Sequence, residues 1–145
     1  MINKIKTRLA SEEGFTLIEL LVVIIILGIL VAIAVPAYLS FRGSAQDAAA
    51  KANVRSAVPA AEGYYQGHND SYTGLDGTAL RTEAPGVGAN VTAKPINSGA
   101  GYCVDDTEAS GREAYYIGGD PGTAPSGAVV GTVTGGATCA SFTFS

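Results

Sequence analysis

The stretch from Phe15 to Leu39, FTLIELLVVIIILGILVAIAVPAYL, constrains this chain more than any other feature. Coiled as a helix it is ~37 Å long, at ~1.5 Å per residue, and so exceeds a hydrocarbon layer of ~30 Å. Before Pro36 only Thr16 and Glu19 are strongly polar. Lys4, Lys6 and Arg8 precede the stretch, opposed by Glu12 and Glu13, and no cation lies inside it. That asymmetry places the N-terminus in the cytoplasm and the remainder of the chain across the membrane.

Two uses of such a segment compete. In an ordinary secretory signal, a charged start and an apolar run end at a small-x-small cleavage site. Ala32-Ile33-Ala34 fits that pattern, and the head is then a free secreted domain. Glu19 argues for the other use. A carboxylate near the start of an apolar helix is costly and normally has a partner. If the chain is cut between Gly14 and Phe15, Phe15 acquires an α-ammonium with a pKa of ~8. Glu19 then lies about one helical turn from it, and a neighbouring subunit's amine can also reach it.

The run GFTLIELLVVIIILGILVAIAVPAYLSFR closely resembles the start of type IV pilins and their pseudopilin relatives. The resemblance covers roughly the first third of the chain. It implies a leader over residues 1–14, cut after Gly14 by a prepilin peptidase that also methylates the Phe15 amine. Residues 15–39 are then both membrane anchor and filament-core helix, with Glu19 as an assembly contact. The implied partners are identical subunits in a homopolymer, the peptidase and N-methyltransferase, and the pilus assembly platform with its ATPase. The implied route is from a single-pass position in the inner membrane of a bacterium to a surface pilus. Such a pilus serves adhesion, motility or DNA uptake; no cofactor and no enzymatic activity are implied. A type II secretion pseudopilin is the alternative, and a secreted binding domain the distant one. Pro36 reads as a helix end on its own and as a kink in a longer helix by resemblance.

Beyond Pro36 the chain keeps helical character over 40–66. Ala50, Val54, Ala57, Ala61 and Tyr65 recur at helical spacing, and Asp47 and Lys51 form an i,i+4 pair. This half is expected to pack on a sheet and to stop by Gly63 or Gly67. Residues 67–145 form the expected head: a long loop to about residue 100, then short strands. Asn90–Ile96 is one. Gly101–Thr107 and Arg112–Gly118 read as a hairpin, and Ala128–Thr134 and Thr138–Phe144 as a second across Gly135-Gly136. Tyr64-Tyr65 and Tyr72-Thr73-Gly74-Leu75 also resemble the pilin region after the long helix. The fold class is α+β, a long N-terminal helix against a small antiparallel sheet. Cys103 and Cys139 are the two cysteines, and a head outside the cytoplasm makes their disulfide the default.

After Gly14, six cations face eleven acids. No basic patch with interleaved aromatics is present, which leaves nucleic-acid binding by the head without support. His68 is the single histidine, so histidine triads and multi-histidine metal sites are excluded. It is expected in a solvated loop. Asp105, Asp106, Glu108 and Asp120 match no EF-hand spacing and are expected to be solvated acids, with no metal site.

Overall fold

The computed structural model describes residues 15–108 and 111–144. They fall into two compact units, one ending at Phe41 and the other beginning at Arg42. Helix α1, Leu17–Gly67, contributes to both. In the first unit every side chain from Phe15 to Phe41 is exposed, including Phe15 at 82%, Ile33 at 70% and Phe41 at 75%. A helix that is apolar all round belongs inside a membrane or inside an assembly. It is long and apolar enough to cross a membrane.

The second unit builds its own core. Here α1 buries Ala50, Val54, Ala57, Ala60, Ala61 and Tyr64. Alanines predominate on this face, and their small side chains let the backbone approach the sheet closely. The buried stripe includes Tyr64, while Tyr65 is only half-buried. The helix ends at Gly67, as the glycines there predict.

The sheet comprises β1 (Val91–Ile96), β2 (Gly101–Thr107), β3 (Glu113–Gly119) and β4 (Thr134–Gly135), antiparallel in that order. Along β2, Tyr102 and Val104 join the core under α1, while Cys103 faces the other way beside Ile117 and Cys139. Both faces are therefore covered, and every β2 residue except Thr107 is buried. Gly118 stands opposite Tyr102 in the β2–β3 register, and a Cβ there would fall 2.6 Å from the Tyr102 ring. Glycine is what admits the tyrosine at that point.

Three expectations need correction. The region 67–100 is not simply loop: Gly77–Glu83 forms helix α2, capped by Asp76, whose Oδ1 accepts from the Thr78 and Ala79 N–H groups. The second hairpin does not form. Only Thr134–Gly135 pairs, with Tyr115 and Ala114, and residues 139–141 make a single 3₁₀ turn. Gly127, Gly131 and Gly136 take φ of 82°, 75° and 87°, which an extended strand does not tolerate. Finally, Asp47 pairs with Arg112 at 3.3 Å, across 65 positions, rather than with Lys51.

Candidate functional site

The N-terminal end of α1 is a built structure. The Thr16 N–H and Oγ1 donate to Glu19 Oε2 at 2.9 and 2.7 Å, and the Glu19 N–H returns a bond to Thr16 Oγ1 at 3.3 Å. This is a capping box, with Thr16 as cap and Glu19 at the third helical position. It satisfies donors that the first helical turn leaves without partners. Glu19 lies along a surface with Phe15, Ile18, Val22 and Val23, so its carboxylate is flanked by apolar side chains. The box has a local sequence signature, Thr-x-x-Glu before an apolar run, in which Glu19 serves as a cap as well as a charge.

The other predicted site residues are placed as follows. Gly14 and the leader 1–14 lie outside the described residues. Phe15 is exposed immediately before the box. At Pro36 the α-helix does not end, and it also runs through Pro59. Each proline removes the N–H that would bond the carbonyl four residues earlier.

Cys103 and Cys139 are joined in a disulfide across 36 positions. Cys139 sits in the 3₁₀ turn, not in a strand. Its N–H donates to Asp105 Oδ2 at 2.7 Å, and Thr92 Oγ1 donates to the other carboxylate oxygen. The bond thus fastens the C-terminal segment over the sheet face opposite α1.

Asp105 and Asp106 are buried, contrary to the solvated reading. Asn53 Nδ2 bridges Asp106 Oδ2 at 3.0 Å and Glu108 Oε1 at 3.1 Å, so an amide from α1 holds two acids at the sheet end. Among the described residues, no group of three or more metal-binding side chains gathers. His68 is exposed, stacked on Tyr64 with ring centroids 3.7 Å apart, and bonded through Nδ1 to the Tyr64 carbonyl. Glu62 was not anticipated. Its two carboxylate oxygens accept from Tyr102 Oη at 2.8 Å and Tyr72 Oη at 3.0 Å. Burial pushes both phenols well above the usual tyrosine range, and the Glu62 hydrogen bonds push them further.

The prokaryotic N-terminal methylation motif matches residues 9–35. The chain is 38% identical over 95 residues to the major component of the type IV wide pilus of Thermus thermophilus, covering 65% of this chain and 72% of that one. The chain belongs to the type IV pilin family. This pilin is also 47% identical over 64 residues to a type IV major pilin of Neisseria gonorrhoeae, covering 39% of the pilin and 34% of that relative. It is 38% identical over 62 residues to the type IV major pilin of Myxococcus xanthus, covering 43% of the pilin and 28% of the relative. It thus spans about a third or less of these last two relatives' length. No solved structure matches the pilin. The pilin is a structural pilus subunit and not an enzyme. Its motif and apolar helix mark it as a membrane-inserted precursor, processed by a prepilin peptidase, of a surface pilus.

Proposed function

We propose that the pilin is cut between Gly14 and Phe15, methylated at the Phe15 amine, and polymerised through residues 15–39 into a homopolymeric pilus. The observation that carries this reading is the contrast within α1. Its first half has no buried residue up to Phe41, although its second half is the spine of a closed head. An apolar surface of that extent requires an external cover, first lipid and then other copies of the same helix. Each Leu, Ile or Val side chain that becomes fully buried there contributes ~1.5–3 kcal/mol.

Glu19 serves as the assembly contact in this scheme, and the capping box supports the assignment. Thr16 holds the carboxylate at the helix start, one turn from where the new ammonium of Phe15 forms. The precursor sits with its N-terminus in the cytoplasm, because Lys4, Lys6 and Arg8 precede the span. An assembly platform and ATPase then extract it. Pro36 is a point of bending, since the helix continues past a residue that cannot donate. The leader, filament helix, amphipathic half and head are residues 1–14, 15–39, 40–66 and 67–145.

Mass analysis of subunits from sheared surface filaments tests the reading. The expected N-terminus is methylated Phe15. A mature start at or beyond Val35 would make the segment a discarded export signal and remove the filament core.

A further inference from the structure

Among the described residues, Lys51 and Asp70 are charges of opposite sign without an ion-pair partner, near opposite ends of the head's part of α1. At the end where the chain enters from Phe41, Asp47, Lys51, Arg112, Thr134 and Gly135 line an open groove. Asp47 is engaged by Arg112, whereas Lys51 has no ion-pair partner among the described residues. Arg55 follows Lys51 by four positions and is exposed. Two like charges one helical turn apart repel. The groove lining thus carries two cations against one acid, with Lys51 the cation outside the Asp47–Arg112 pair, in a head whose overall balance is acidic.

The opposite end is a mirror case. Helix α1 has no basic residue in its last turn; His68 Nδ1 bonds the Tyr64 carbonyl, but no lysine or arginine of that turn offsets the negative end of the dipole. Beyond Gly67 the chain turns through Asn69 and Asp70, both non-glycine residues at positive φ, 55° and 53°. Asp70 is exposed, with no side-chain hydrogen bond or ion pair among the described residues. A carboxylate held in strained backbone at the negative end of a helix is unfavourably placed within its own chain. Asp120 is exposed at the same end, where its N–H bonds the Ala100 carbonyl beside the Gly99–Tyr72 contact. Lys51 and Gly67 are ~24 Å apart along the helix at ~1.5 Å per residue, so Asp70 cannot reach the groove of its own head.

We infer that the Lys51 groove of one head receives the Asp70 tip of another copy of this chain. The contact is heterologous and head-to-tail, the type that propagates into an open helical filament rather than closing a ring. Heads carried in one orientation and displaced along the axis of residues 42–67 present unlike ends to each other. Charge complementarity of this kind fixes register and excludes reversed partners. The inference rests on the pilus reading above and adds the surface and residues that join the heads.

The test uses the full processed pilin in filaments, with Lys51→Glu, Asp70→Lys and the double exchange, each expressed without a wild-type copy. Each single reversal is expected to lower recovery of sheared filaments at low salt by about fivefold, with the double exchange restoring it, as for a coupled pair. Formation of the Cys103–Cys139 bond in every variant checks that the head has folded. Wild-type recovery from both single variants, or a double exchange no better than the singles in folded protein, overturns the inference. Absence of the wild-type pilin from surface filaments would instead overturn the pilus reading itself.

Discussion

The two units of the pilin spend hydrophobic residues in opposite ways. Phe15 to Phe41 leaves every side chain exposed, whereas the second unit buries nearly the whole of β2 on both faces. One region supplies its own cover, with α1 on one side of the sheet and the disulfide-held C-terminal segment on the other. The other region is unfinished until something outside the chain covers it. Folding of the head and burial of the apolar helix are therefore separable events, and variants are expected to sort cleanly between them.

The largest effect is expected at Glu19. In Glu19→Leu, membrane insertion and cleavage should be retained, because the change removes a polar group from the apolar run and leaves the cut site intact. Filaments should be absent while processed protein accumulates in the membrane, as read by electron microscopy and subunit mass. Normal filament yield would show that the first unit assembles without a charged register.

Next is the bond that completes the head's cover. Replacing both Cys103 and Cys139 with serine should destabilise the head by roughly 3–4 kcal/mol on loop-entropy grounds. Urea unfolding of the full processed chain in micelles, followed by the near-ultraviolet dichroism of its tyrosines, measures this. A paired substitution sharpens the comparison further. Leu80 is fully buried in the core of the head, so Leu80→Ala should cost about 3 kcal/mol in the same assay. Ile33→Ala removes the same number of carbons from an exposed side chain of the first unit and should leave head unfolding unchanged. An equal shift from both would mean that the two units unfold together.

The smallest effect is a dependence on alkaline pH confined to the head. Tyr72 and Tyr102 ionise less readily folded than unfolded, because burial and then Glu62 disfavour the phenolate. Their contribution to stability is complete below the ordinary tyrosine pKa of 10.0 and is lost as pH rises above it. Ring resonances of both should keep their neutral positions past that pH until the head unfolds. Glu62→Gln should bring their ionisation to lower pH. Titration of both at an ordinary pKa in the native head would contradict the buried network.

The first unit was almost wholly legible in the sequence, since composition alone decides an all-apolar helix and the GFTLIE run marks its start. In the head, β1 to β3 announced themselves through strand-forming residues between turn signals, and Ala50, Val54, Ala57 and Ala61 through helical spacing. What resisted reading was set by backbone and distance. Residues 128–144 alternate as strands do, yet glycines at positive φ interrupt them. Helix α2 is too short to show a period, and only Asp76 before Gly77-Thr78-Ala79 marked its start. The partners of Asp47, Asn53 and Glu62 lie 65, 53 and 40 positions away, where local spacing carries no information. At Thr16 and Glu19 the signal is local, but the cost of a carboxylate in an apolar run masks its second role as a cap.

The fastening of the C-terminal segment has a consequence for how this protein changes over generations. Between Asp120 and Thr138 the chain is tied to the sheet, among the described residues, by a two-residue ladder, Gly131 and Gly136 N–H bonds to the Ile117 and Glu113 carbonyls, and a Val129 N–H bond to the Tyr115 hydroxyl. A covalent clasp at Cys139 does what a long strand register would otherwise do. A strand register ties every residue to a partner, whereas a clasp ties one. The intervening stretch, mostly exposed around residues 120–127, is therefore open to substitution and insertion with little penalty to the scaffold. Lineages of this pilin can alter the exposed surface of that stretch while inheriting the same helix, the same sheet and the same clasp.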